Sequence, residues 1–316
     1  MEELKHKPTR DGAGEAMLEL GKRNKNVVVL SADLTDSTRA GWFKKEFPDR
    51  FIGFGVAEQD MLGAAAGLAL CGKIPFACTF GVFASGRAWD QVRVSVAYMN
   101  LNVKIIGTHG GITVGEDGAT HQALDEIALM RILPNMTVIV PSDANEAYKA
   151  TMQSADIDGP VYIRLGRNPA PILTKKEEPF KIGKGVLYSE GSDISIITCG
   201  HSLYEAKKAR EELLKEGIKA RIINLHTPKP LDKEIILKAA QETGAFVTVE
   251  EHTVHGGMGS AIAELTTGEC PVPIKMVGIR DTFGESGEPL ELLKYFNLAT
   301  EDVVKAAHEA LQLKKK

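Results

Sequence analysis

This 316-residue chain lacks an uninterrupted apolar run long enough to span a membrane. Met61 to Gly72 followed by Ile74 to Gly86 comes nearest, but Lys73 and Pro75 break it, and Gly and Ala fill its first half. A close-packed internal helix leading into a buried strand accounts for it better. Cysteine is scarce. Cys71, Cys78, Cys199 and Cys270 form no Cys-x-x-Cys pair, which argues against a compact thiolate metal site and fits free thiols in a reducing compartment. Charge of one sign is missing too. With a net charge of −4 there is no basic field to hold nucleic acid, and the closing Lys314-Lys315-Lys316 reads as a solvated tail. Met1 to Lys5 has no apolar signal-peptide core, so a cytoplasmic location is expected. Gly200-His201-Ser202-Leu203-Tyr204 lacks the closing glycine of a hydrolase elbow, and no P-loop lysine motif occurs.

What is present is ordinary globular material, 43% hydrophobic and 25% charged, with length for two domains. Short β-branched runs alternate with amphipathic stretches. Val27–Leu30, Phe51–Gly53, Ile74–Phe80, Val103–Gly107, Thr137–Pro141 and Val161–Arg164 read as strands. Helices are expected over 11–24, 41–47, 61–70, 85–99, 124–133 and 144–153. This is the pattern of a doubly wound α/β sheet covered on both faces. A segment rich in proline and charge, from Asn168 to Pro179, reads as a linker. Beyond it the alternation restarts as a smaller α/β unit. The expected division is a first domain over 1–170, a linker over 171–188 and a second domain over 189–316. The helix starting at Met61 is apolar nearly all round, which implies cover on several sides, a second chain included.

Ligands on open α/β sheets bind beyond the carboxyl ends of the strands. Polar residues gather there: Ser31, Asp33 and Ser37, then Glu58, then His109, Asp117 and His121, then Arg164 and Arg167. Glu58 sits between a short strand and a helix with no charge. It is either a helix-capping acid near the positive end of the dipole or a perturbed acid at a site. The loop from Thr108 to His121 holds two His, two acids and four Gly. Loops this long in compact domains tend to be functional or disordered. The spacing of His109, Asp117 and His121 matches no compact zinc pattern, so no metal site is expected. Gly256-Gly257-Met258-Gly259-Ser260 opens a helix after a strand and could hold an anion, although tight helix–sheet packing is the commoner explanation of such glycines.

Five stretches together resemble transketolase: Ser31-Ala32-Asp33-Leu34-Thr35, Gly55-Val56-Ala57-Glu58-Gln59, Thr79-Phe80 with Phe83, Gly115 to Gln122, and Phe283-Gly284-Glu285-Ser286-Gly287. The likeness spans the pyrimidine-binding and C-terminal domains. It implies thiamine diphosphate as cofactor, with Glu58 hydrogen-bonding N1′ of its aminopyrimidine, Phe80 and Phe83 packing on that ring, and Asp33 at the cofactor cleft. It makes His109 and His121 catalytic groups around the sugar, puts Asp117 near its C2 hydroxyl, and places Ser37, Arg167 and Arg164 at the substrate phosphate. Gly86 departs from the pattern, because many relatives carry a larger residue there. No Gly-Asp-Gly occurs in the chain. The resemblance therefore implies the C-terminal subunit of a split transketolase, a homodimer core within a heterotetramer, whose N-terminal partner carries Gly-Asp-Gly and holds Mg2+ or Ca2+ and the diphosphate. Sugar phosphates are the implied substrates in carbohydrate metabolism of the pentose phosphate type. A deoxyxylulose-phosphate synthase-like or 2-oxoacid dehydrogenase beta-type subunit would share the layout, as would a non-catalytic binding subunit.

Overall fold

A computed structural model describes residues 4–314. In chain order the strands are β1 (His6–Pro8), β2 (Val27–Ser31), β3 (Phe51–Gly53), β4 (Ile74–Phe80), β5 (Lys104–Thr108), β6 (Thr137–Ile139), β7 (Val161–Arg164) and β8 (Pro169–Pro171), then β9 (Val186–Ser189), β10 (Ile194–Thr198), β11 (Ala220–Asn224), β12 (Phe246–Thr253) and β13 (Ile274–Ile279). The first sheet runs β3-β2-β4-β5-β7-β6, every neighbouring pair parallel. Alternate residues of β2 serve opposite faces. Val27 and Val29 pack with Met17 and Leu20 of helix Thr9–Arg23, whereas Val28 and Leu30 pack with Met61 and Leu62 of helix Glu58–Leu70. Both faces are therefore buried, as the unbroken β-branched run of the strand requires.

The second sheet runs β13-β12-β10-β11-β9, parallel except for β9 at its edge. One apolar cluster joins the two sheets, containing Val138 of β6 and Ile223 of β11 together with Val140 and Leu225 just past those strands. No helix among the described residues is long and apolar enough to cross a membrane.

Several local expectations are corrected. Residues 85–99 do not form one α-helix: π-helical turns Phe83–Arg87 and Val92–Tyr98 flank the short helix Trp89–Gln91. Such widened turns redirect side chains and concentrate at functional sites. The expected linker is partly ordered. Pro169–Pro171 pairs with His6–Pro8 as a two-stranded antiparallel ribbon, an edge arrangement that tolerates the missing proline N–H. Val186–Ser189 spans the expected 188/189 boundary and already belongs to the second sheet. β12 continues to Thr253, bringing Glu250, Glu251 and His252 into the strand. Helix Pro289–Tyr295 is additional, started by a proline at its first position. Within this one chain the helix from Glu58 is covered on one side, and its expected cover by a second chain concerns the side left open. Met61, Leu62, Ala65 and Ala66 are buried, but Leu70 is 67% exposed and a Cβ on Gly63 or Gly67 would meet nothing within 4 Å.

Candidate active site

The carboxyl ends of β2, β4, β5 and β7 gather most of the expected residues. Two of them have left-handed backbones, Asp33 (φ 59°) just past β2 and His109 (φ 60°) just past β5. Positive φ in a non-glycine residue is uncommon and tends to persist where the surroundings over-determine it. Asp33 is exposed. His109 is buried, its ring stacked 3.6 Å from that of Phe80. Phe80 in turn stacks on Phe83 at 5.7 Å, and His121 stands edge-on to both, 6.0 and 5.5 Å away. Phe80, Phe83, His109 and His121 thus form one aromatic cluster.

Glu58 opens the apolar helix and is only 1% exposed. Its Oε2 accepts a bond of 2.8 Å from Arg87 Nη1, and the Arg87 guanidinium lies 4.4 Å over the Phe83 ring. The π-turn makes this possible, because it aims Phe83 and Arg87 at the same pocket. Its backbone is braced where Ser85 Oγ donates to Gly81 O at 2.8 Å. Arg87 escaped the sequence reading, since nothing in its neighbours signals a widened turn.

A group of cations lies on the other side of His109. Arg10 Nη1 donates to Ser37 O at 2.8 Å, and Arg39 Nε donates to Asp11 at 2.6 Å. Arg167 pairs with Asp117 at 3.4 Å and donates to Val114 O at 3.0 Å. Burial lowers the Arg10 pKa to about 10, helped by Arg39 and Arg167, so it stays charged at neutral pH. Burial, then Arg10 and Arg167, push His109 down to about 3. That imidazole is neutral at any working pH. Its Nδ1 lies 3.0 Å from Thr108 Oγ, leaving Nε2 for a ligand. Arg10 was also missed in the sequence. It precedes the first recognisable stretch and is brought to Ser37 only by the packing of its helix against the sheet.

Arg164 does not join this group. Its guanidinium is buried, ion-paired to the buried Glu126, and Nη2 donates to Glu251 O at 2.6 Å. Burial opposes the Arg164 charge, but Glu126 and Glu251 outweigh it and raise the proton affinity. Its donors face the interior, so of the two arginines Arg167 is the one available to a ligand. The glycine run 256–260 is not an anion site either. The N–H groups of Met258 and Gly259 donate to Glu250 at 2.8 Å each, so the chain supplies its own carboxylate. Among the described residues no three His, Cys, Asp or Glu side chains group as metal ligands.

A buried carboxylate beside an aromatic cluster, bordered by imidazoles and guanidinium groups, stands at the strand ends of a parallel sheet, where proteins of the α/β class bind their ligands. Residues 5–171 match the family model for the transketolase pyrimidine-binding domain, and residues 183–303 match that for the transketolase C-terminal domain. The chain belongs to the transketolase family, as a subunit of the split type. The 6-deoxy-6-sulfo-D-fructose transketolase subunit of Clostridium sp. is 44% identical over 305 residues, 96% of this chain and 95% of that one. An apulose-4-phosphate transketolase subunit of Phocaeicola vulgatus is 39% identical over 296 residues, covering 93% and 95%. A solved structure described as a split-gene transketolase, inactive beta4 tetramer, superposes with a TM-score of 0.92 at 47% identity, over 97% of this chain and 99% of that one.

Proposed function

We propose that this chain supplies the pyrimidine and sugar sites of a thiamine diphosphate-dependent transketolase that moves a two-carbon ketol unit from a ketose phosphate to an aldose phosphate. One observation carries the reading: the buried Glu58 carboxylate, the Phe80–Phe83 ring pair, the two histidines and the cation group stand at neighbouring strand ends of one sheet. The residues fit the cofactor's aminopyrimidine. The ring pair offers an apolar wall, a Cβ on Gly86 would meet nothing within 4 Å, and the buried hydroxyls of Ser31 and Thr79 lack partners. When bound, thiamine diphosphate supplies the nucleophilic carbon that carries the ketol unit.

Glu58 accepts a hydrogen bond from the ring in a water-poor pocket, where such a bond weighs more. Its neighbour Arg87 holds the carboxylate in place through the 2.8 Å hydrogen bond to Oε2. Neutral His109 orients a sugar hydroxyl through Nε2, and His121, held by Thr120 Oγ at 2.8 Å, moves protons. Asp117 approaches the C2 hydroxyl, Asp33 lines the cofactor cleft, and Ser37 with Arg10 and Arg167 binds the terminal anion. The relatives are named for a sulfonated and a phosphorylated sugar, and both end in a tetrahedral oxyanion that a guanidinium fork grips.

The first unit, residues 1–170, carries these groups. The diphosphate and its Mg2+ or Ca2+ fall to a partner chain with a Gly-Asp-Gly motif, which would join a homodimer of this chain in a heterotetramer. The relatives' description as subunits and the neighbour's as an inactive tetramer support this division. Purified alone, this chain should show no ketol transfer, and adding the partner should restore it. Robust transfer by the lone chain would overturn the split-site assignment.

A further inference from the structure

The loop from Thr108 to Gln122 carries His109, Asp117 and His121, yet the second unit holds much of it in place. Glu251, buried on β12, is the first anchor. Its Oε2 accepts from Thr113 Oγ at 2.7 Å and from Thr113 N at 3.2 Å. A Cβ on Gly111 would collide with the same carboxylate oxygen, so the loop backbone runs directly against it. The second anchor is the segment after β13. Gln122 Nε2 donates to Glu285 O at 2.8 Å while facing the loop carbonyls of Ile112 and Gly115 at 3.2 and 3.3 Å. A Cβ on Gly284 would strike Gln122 Oε1, and one on Gly118 would strike Ser286 Oγ. The loop is therefore gripped at Thr113, four residues before Asp117, and at Gly118 and Gln122 after it.

Its four glycines leave the loop with large backbone freedom when free. Gly111, Gly115 and Gly118 all take positive φ, at 92°, 84° and 71°. Such a segment holds two imidazoles and a carboxylate in fixed relation only if outside contacts order it, and a small displacement of positioned groups is expensive for catalysis. From these contacts we infer that Glu251 and residues 284–287 form a positioning clamp, by which the second unit sets the geometry of the first unit's substrate loop. The clamp residues act on the loop through Thr113 and Gln122. The inference rests on the transketolase reading for what the loop does, but not for how it is held.

Two variants loosen the clamp from opposite sides. Thr113→Val removes the hydroxyl that Glu251 accepts from, and Gly284→Ala displaces the Gln122 amide. Thr113→Ser keeps the hydroxyl. Hydrogen exchange of the full chain needs neither partner nor cofactor. Amides over 110–122 should exchange roughly three- to tenfold faster in both loosened variants, as loss of one buried hydrogen bond predicts. Thr113→Ser should match the parent, and amides of β7 should not change. In the complex with the partner chain, KM for a ketose phosphate should rise by a similar factor while affinity for thiamine diphosphate stays constant. Unchanged exchange over 110–122 in both variants overturns the clamp. If the parent complex transfers no ketol unit at all, the proposed function falls, and exchange still decides the clamp.

Discussion

Arg164 and Arg167 lie three positions apart, and the structure gives them opposite work. Arg164→Ala would leave Glu126 as an uncompensated carboxylate in a site that excludes water. Breaking a buried pair in this way costs about 3–5 kcal/mol. At roughly 2–4 °C per kcal/mol for units of this size, the thermal midpoint should fall by about 6–20 °C. Arg167 is only partly buried, and in its ion pair with Asp117 at 3.4 Å the two side chains are 30% and 33% exposed. Removing it should change stability by less than about 1 kcal/mol. A charge-assisted hydrogen bond to a bound phosphate contributes about 1.5–3 kcal/mol. Arg167→Ala should therefore raise KM for a phosphorylated ketose roughly 10- to 150-fold, with much less change in kcat. The assay is steady-state transfer by the assembled complex, run with a phosphorylated and an unphosphorylated ketose, beside thermal melts of each variant. An Arg164→Ala chain that melts normally but binds phosphate poorly would reverse the assignment. An Arg167→Ala chain with unchanged KM would remove that residue from the anion site.

Glu58→Gln keeps the size of the side chain and removes its charge, and Arg87, left without its partner, is 45% exposed and can turn to water. The chain should fold, while transfer by the assembled complex falls at least about 100-fold; a rate within tenfold of the parent would refute the role of the carboxylate. A second outcome concerns acid stability. His226 is fully buried against the Phe180 ring at 4.1 Å, and burial, then Lys149, lower its pKa from 6.5 to about 4. Between those values the unfolded chain binds more protons than the folded one, so this residue's contribution is complete above pH 6.5 and is lost as the pH falls toward 4. At pH 5 the loss is about 2 kcal/mol. His226→Leu should flatten the decline of the melting midpoint between pH 7 and 5, and an unaltered slope would show that the ring is not held neutral.

Much of the fold was legible because its strands are buried on both faces. A run such as Val27-Val28-Val29-Leu30 has no polar side to misassign, and proline or glycine closes most elements. The failures have physical causes. Pro169–Pro171 reads as a chain break, yet a two-stranded ribbon leaves the proline nitrogens facing away from their partner. Residues 85–99 have helical composition, and composition does not register a π-turn.

The positions of the candidate residues were legible where the end of an element fixes them, as for Phe80 and His109 at strand ends and Glu58 at the start of its helix. They were not legible where allegiance is decided by a distant partner. Arg164 ends β7 and looks as free as Arg167 until Glu126, 38 positions earlier, and the Glu251 carbonyl, 87 positions later, claim its guanidinium. Leu165 and Gly166 then carry the chain past the sheet, so Arg167 emerges among Asp117, Arg10 and the Val114 carbonyl. Two identical side chains acquire different surroundings from what lies opposite them. A single-chain pattern describes what a residue can do, whereas burial and pairing decide what it does.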